Sequence, residues 1–206
     1  MGFAAKLGVT DLKPRWDIPI PTADSAFAEQ LMGTQRWFVI CPAASKAERN
    51  WLPERYAAVA EHAVAQGFNI MLCGGPAVME QQLASDIINA CQCQITNLVG
   101  KTTLVQMLAI LRQASLVLAP DTGPTHMAVT QGTPVIGLYA HSNPRRTGPY
   151  LWLQYVVSAY QQAIDEQFPG QHVPWGTRAK GEQLMSQIPV AAVIGMFDQV
   201  VLEQHL

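Results

Sequence analysis

A chain of 206 residues is long enough for one well-buried core and short for two full domains. With 49% hydrophobic and 14% charged residues, it has the balance of a compact α/β protein and excludes a disordered or fibrous one. The formal net charge of −2 supplies no field to draw in nucleic acid or an anionic membrane, so any phosphate-bearing ligand must be held by a few local groups.

At the N-terminus, Lys6 is followed by no apolar stretch of the kind a signal peptide carries. No apolar run approaches the ~20 residues needed to cross a bilayer. Cys41 and Cys73 end apolar runs, where a thiol behaves as a small hydrophobe, and Cys91 and Cys93 have no second Cys or His pair at zinc-site spacing. The expectation is a soluble, cytoplasmic protein with reduced thiols and no metal. Pro14, Pro19 and Pro21 favour extended backbone over helix, so residues 1–35 read as an interdomain linker, or as an arm packed on the surface. The domain proper is expected over 36–206.

From Trp37 the pattern alternates. Trp37–Cys41 is a short apolar run stopped by Pro42, as a buried parallel strand would be. Pro53 opens a helix with Tyr56, Val59, Ala60 and Ala63 at helical spacing, closing before Gly67. Phe68–Cys73 is the next strand, broken by Gly74-Gly75, and Pro76 starts a helix running to about Ala90. Ile95–Leu98 makes a small strand, and Thr103 can cap a helix containing Leu104, Met107, Leu108 and Leu111. Leu116–Ala119 is a strand leading through Thr122-Gly123-Pro124 into a helix that reaches Gln131, and Pro134–Tyr139 is the last clear strand. Beyond Tyr150 the signal weakens until an amphipathic helix from Val190 to about Leu202. Strands alternating with helices predict an α/β fold: a Rossmann-like parallel sheet with helices on both faces.

Ligands of such sheets bind beyond the carboxyl ends of the strands. The segment Pro42–Pro53 offers the Ser45 hydroxyl and the cations Lys46 and Arg49 beside a helix N-terminus, which suits an anion or equally a solvated basic loop. In Gly74–Glu80 the glycines permit a tight turn, and Glu80 could accept from ribose hydroxyls or simply face water. Asp121-Thr122-Gly123-Pro124-Thr125-His126 is the most specific of these segments. Thr122 and Gly123 can present hydroxyl and N–H donors to a diphosphate, Asp121 can cap the turn, and His126 lies one turn in, facing the same crevice. The alternative keeps Asp121 as a cap and His126 as a core residue. Tyr139–Arg146 closes the edge with two more cations or a solvated loop.

Taken in order, Pro42-Ala-Ala-Ser45…Arg49-Asn-Trp51-Leu-Pro53, Gly74-Gly75-Pro76…Glu80, Gly100-Lys101-Thr102 and Asp121-Thr-Gly-Pro-Thr-His126…Gly132-Thr-Pro134 resemble glycosyltransferase family 9, the ADP-heptose:lipopolysaccharide heptosyltransferases. The match is good from Trp37 to Pro149 and weaker elsewhere, with Val173-Pro-Trp-Gly-Thr-Arg178 resembling the tail of one branch. The resemblance implies a GT-B type enzyme of two Rossmann-like domains, of which this chain is the C-terminal, donor-binding one. It puts the donor phosphates on Ser45, Lys46 or Arg49, Thr122 and Gly123. The ribose falls to Glu80, the nucleobase to the segment of Lys101 and Thr102, and the sugar with its phosphates to Asp121, Thr125 and His126. Family members usually carry Lys where Arg49 stands, so the choice between the two cations stays open.

The implied reaction is inverting transfer of heptose from an ADP-heptose-like nucleotide-sugar to the lipopolysaccharide core, without a tightly bound metal or other cofactor. Its general base is an Asp of the N-terminal acceptor domain, which this chain lacks, so no catalytic residue is assigned here and the chain alone is expected to be inactive. The missing domain would join in cis or in trans. The membrane, at the inner face of the inner membrane, would be met only peripherally through the lipopolysaccharide acceptor. The other readings are a non-catalytic interaction module that docks a separate N-terminal half, and a nucleotide-sugar epimerase-like domain, which the Asp121-Thr-Gly-Pro turn suits less well.

Overall fold

The computed structural model describes residues 2–206. Six apolar runs pair into one all-parallel sheet: β1 (Trp37–Ile40), β2 (Asn69–Leu72), β3 (Ile95–Asn97), β4 (Leu116–Pro120), β5 (Val135–Tyr139) and β6 (Val156–Ser158). Their order is β3-β2-β1-β4-β5-β6. The chain therefore winds outward one way from β1 and then returns to build the other half from β4. The direction of winding reverses between β1 and β4, where the connections on either side part.

Every residue of β1, β4 and β5 is buried, which explains why they read as continuous apolar runs: both faces of the sheet are covered. Pleating sends alternate side chains to opposite layers. Phe38, Ile40, Ile70, Leu72, Leu116, Leu118, Ile136 and Leu138 face one apolar cluster. Trp37, Val39, Met71, Val117, Ala119 and Val135 face the other.

The helices are α1 (Gly2–Lys6), α2 (Thr22–Met32), α3 (Pro53–Ala65), α4 (Val78–Ala90), α5 (Leu104–Gln113), α6 (Gly123–Thr130), α7 (Pro144–Thr147), α8 (Tyr160–Gln167) and α9 (Val190–Glu203). Faces of α3, α4, α8 and α9 complete the first layer, and α2, α5 and α6 the second. Local signals set their starts. Pro53 occupies the first turn of α3, where no N–H is missed. Thr103 and Gln106 form a reciprocal capping box on α5, with bonds of 3.1 and 2.9 Å. On α9, Phe197 is fully buried and meets Phe38 and Phe68 edge-on, while Asp198 accepts from His62 of α3 at 2.6 Å.

The N-terminal stretch departs from expectation. Residues 22–32, placed in a connector by the prolines ahead of them, form α2 and pack into the domain. Ala28 and Met32 are buried in the second layer, and the Met32 carbonyl accepts from the Trp37 indole at 2.8 Å. The proline-rich run ahead of α2 forms neither helix nor strand, with Trp16 edge-on to Tyr150. The segment after Tyr150 also contributes β6 and α8, which the sequence left unassigned. Among the described residues no helix is long and apolar enough to cross a membrane.

Candidate functional site

All six strands run in parallel, so the turns that follow β2, β1 and β4 emerge on one edge of the sheet in that spatial order. Neighbouring strands lie about 4.8 Å apart, so these turns share a frontage of about 10 Å, comparable to a nucleoside diphosphate.

After β1 the chain stays buried through Ala44 and then surfaces, with Ser45 and Lys46 exposed and Arg49 half-buried. The loop is built rather than loose. Asn50 Oδ1 accepts from the Ala44 N–H at 2.7 Å, the Tyr56 hydroxyl donates to the Pro42 carbonyl, and buried Trp51 donates to the Ile188 carbonyl at 3.1 Å. The imidazole of His141 clamps it from β5. Its two ring nitrogens face the Glu48 carbonyl at 2.9 Å and the Ala179 carbonyl at 3.2 Å. Two carbonyl acceptors are both satisfied only by the doubly protonated ring; the neutral ring can donate to one of them.

The cations of this loop sit differently. The Lys46 ammonium lies 3.8 Å from the Glu48 carboxylate with its side chain 58% exposed. Arg49 makes no ion pair among the described residues, and it lines two adjoining spaces. One is a small cleft with Asp121, Tyr139, His141 and Ser142, and the other is a cavity of about 310 Å³ shared with Lys46, His141, Arg178 and Lys180.

After β4, Thr122 is extended (φ −149°, ψ 167°) and precedes the first turn of α6 without capping it through its side chain. The first N–H groups of α6 thus have no side-chain cap from Thr122, and a Cβ added at Gly123 would meet no atom within 4 Å. Asp121 accepts from the Ser142 hydroxyl at 2.5 Å, which fixes its carboxylate at the floor of the cleft. Burial, with the Asp121 charge beside it, pushes the Tyr139 phenol well above its ordinary range. The remaining residues of this motif separate. Thr125 is fully buried and donates to the Pro120 carbonyl at 2.7 Å, so it braces the turn and offers nothing to a ligand. His126 is exposed on α6 and borders neither of the two spaces lined by Arg49.

After β2, one carboxylate oxygen of Glu80 accepts from the Gly75 N–H at 2.6 Å. A Cβ at Gly74 or Gly75 would stand 2.8 or 2.9 Å from that carboxylate, so a larger residue at either place would push the Glu80 carboxylate aside. The Gly100 N–H donates to the Gly74 carbonyl at 3.0 Å, drawing the turn after β3 against the one after β2. On it, the Lys101 ammonium folds back onto the Asn97 carbonyl at 2.9 Å, and the Thr102 hydroxyl oxygen is buried without a partner. Val78 and Leu104, at the starts of α4 and α5, leave their apolar side chains largely in water.

The structure therefore brings Ser45, Arg49, Glu80, Asp121, Thr122 and Gly123 to one edge, with Lys46 at its rim and Lys101 and Thr102 at its β3 end. Asn50, His141, Ser142, Arg178 and Lys180 also belong to it and were missed. Asn50, His141, Ser142 and Arg178 lay inside segments already singled out, but nothing in sequence marks which neighbour a side chain will fix.

The family model for glycosyltransferase family 9 (heptosyltransferase) matches residues 1–171. The chain is 43% identical over 203 residues to the lipopolysaccharide core heptosyltransferase OpsX of Haemophilus influenzae, covering 97% of this chain and 58% of that protein. It is 26% identical over 169 residues to the lipopolysaccharide heptosyltransferase 3 of Escherichia coli, covering 81% of this chain and 47% of the relative. The chain thus spans about half the length of these relatives. Its fold is shared with a glycosyltransferase of family 9 from Veillonella parvula (TM-score 0.77, 23% identity, 98% of this chain and 58% of that one). It is also shared with the E. coli ADP-heptose lps heptosyltransferase II (TM-score 0.70, 19% identity, 95% and 55%). A third likeness is to the E. coli heptosyltransferase WaaC with ADP (TM-score 0.63, 19% identity, 96% and 54%).

Proposed function

Because the chain belongs to glycosyltransferase family 9, we propose that it is the donor-binding part of a heptosyltransferase acting in lipopolysaccharide core assembly, holding an ADP-heptose-like nucleotide-sugar at the β1–β4 crevice. The observation that carries this reading is the open N-terminus of α6 at Thr122 and Gly123, at the same edge as the unpaired guanidinium of Arg49. A diphosphate leaving group gathers negative charge as its bond to the sugar breaks, and N–H donors and a cation already in place stabilise that charge without reorganising. Arg49, common to both spaces, is better placed than Lys46 for that role, and its planar fork can bridge two phosphate oxygens.

Glu80 keeps one carboxylate oxygen on the Gly75 N–H and has the other for ribose hydroxyls. The unpartnered Thr102 hydroxyl, with the apolar side chains of Val78 and Leu104 exposed on neighbouring helix starts, suits a nucleobase. Deprotonation of the acceptor hydroxyl falls to the N-terminal half, joined in cis or in trans at the same edge. This chain alone binds the donor and transfers nothing. It works on the cytoplasmic side of the inner membrane and meets that membrane only through its acceptor.

Calorimetry with ADP tests the proposal. A few charge-assisted bonds of about 1.5–3 kcal/mol each give a Kd between roughly 1 mM and 1 μM. Absence of both heat and thermal stabilisation at millimolar ADP would remove the donor-binding role.

A further inference from the structure

Beyond β5 and β6, on the same edge of the sheet, lies a cavity of about 640 Å³ lined by none of the residues assigned to the donor. One wall is α8 and the other is the irregular segment between Phe168 and Gln183, which has no helix or strand of its own. Long irregular segments inside compact domains are kept for function, because ordering them opposes folding. This one is held in place by side chains. The Tyr160 hydroxyl donates to the Thr177 carbonyl at 2.8 Å, Gln167 exchanges two bonds with Lys180 at 2.7 and 2.9 Å, and Asn143 donates to the Trp175 carbonyl at 3.3 Å. The backbone of Trp175 is thereby fixed while its indole, 59% exposed, is left lining the cavity.

We propose that this cavity is a saccharide subsite, with Trp175 as the platform on which one sugar ring lies. A sugar presents an apolar C–H face and a rim of hydroxyls that both donate and accept. It therefore calls for an aromatic face ringed by amide, carboxylate and guanidinium groups. Around Trp175 the cavity supplies Gln171 and Arg145, whose side chains bond no other group among the described residues, and the Gln161–Asp165 pair of α8, joined at 2.8 Å. An apolar partner would leave these polar groups unmatched on burial. A bare anion is disfavoured because the Asp165 carboxylate lines the cavity along with Arg145, so a neutral polyol fits best. The site also adjoins the donor edge. Residues 141–145 and 175–180 form a partition, with Asn143, Arg145 and Trp175 on this cavity and His141, Arg178 and Lys180 on the one lined by Arg49.

Resting on the glycosyltransferase reading, the subsite holds a further unit of an oligosaccharide acceptor, so that recognition of the acceptor is shared by this half. The test uses the full chain and a deacylated lipopolysaccharide core oligosaccharide, followed by saturation-transfer NMR, with ADP affinity measured in parallel. The oligosaccharide should bind the native chain. Trp175→Ala and Gln171→Ala should each weaken it, the first by about tenfold, with ADP affinity unchanged. Equal binding to Trp175→Ala would overturn the proposal, as would no saccharide binding by a chain that still binds ADP. Saccharide binding lost with Trp175→Ala in a chain that fails to bind ADP would support this subsite and sink the donor reading instead.

Discussion

Arg49 and Lys46 carry the same charge three residues apart, and their surroundings give them different weights. Arg49 lines both spaces at the edge, whereas Lys46 lines only the larger one, beside Glu48 and largely in water, where solvent screens it. Arg49→Ala should therefore weaken ADP binding by a charge-assisted bond, about 1.5–3 kcal/mol or roughly 10- to 150-fold, and Lys46→Ala by no more than about threefold. Equal losses in calorimetry would mean that both cations hold the phosphates. Thr122 and Thr125 make a second pair. Thr122→Val should lower ADP affinity and leave the melting temperature unchanged. Thr125→Val should do the reverse, costing about 1–3 kcal/mol of stability by stranding the buried Pro120 carbonyl. Sequence could not separate these hydroxyls, since both stand in one turn motif and only the path of the backbone decides which meets a carbonyl. His141 was hidden for a related reason: its partner Glu48 lies 93 positions away.

At the scale of elements, the core depends on α9, whose Phe197 fills the space between Phe38 and Phe68. Phe197→Ala should cost about 3–5 kcal/mol in denaturant unfolding, and a loss below about 1 kcal/mol would mean that α9 docks only loosely. The central strands were legible because burial on both faces leaves an unbroken apolar run, and α3 and α5 because a proline or a capping residue marks their starts. The elements that escaped lack these marks. β6 has three residues, none of them buried in the sheet, and α8 shows only Tyr160, Ala163 and Ile164 as buried residues among glutamines and acids. α2 follows a proline cluster that pointed to extended chain, and tertiary packing against α5 overrode it. Which turns share one edge was nevertheless readable, because a parallel sheet places every strand-to-helix turn on one side and those turns carried the unusual residues.

For the whole molecule, the account depends on geometry that no single residue supplies. The turns after β2, β1 and β4 are brought side by side only because the chain reverses its direction of winding between β1 and β4. Beneath this edge an apolar cluster covers each face of the sheet. The most direct measurement is an amide NMR titration of the chain with ADP. The account predicts that the largest shifts fall together at Ser45–Arg49, Gly75–Glu80 and Thr122–Gly123 and saturate with one Kd. Shifts confined to one of these turns, or gathered at the opposite edge of the sheet, would contradict it.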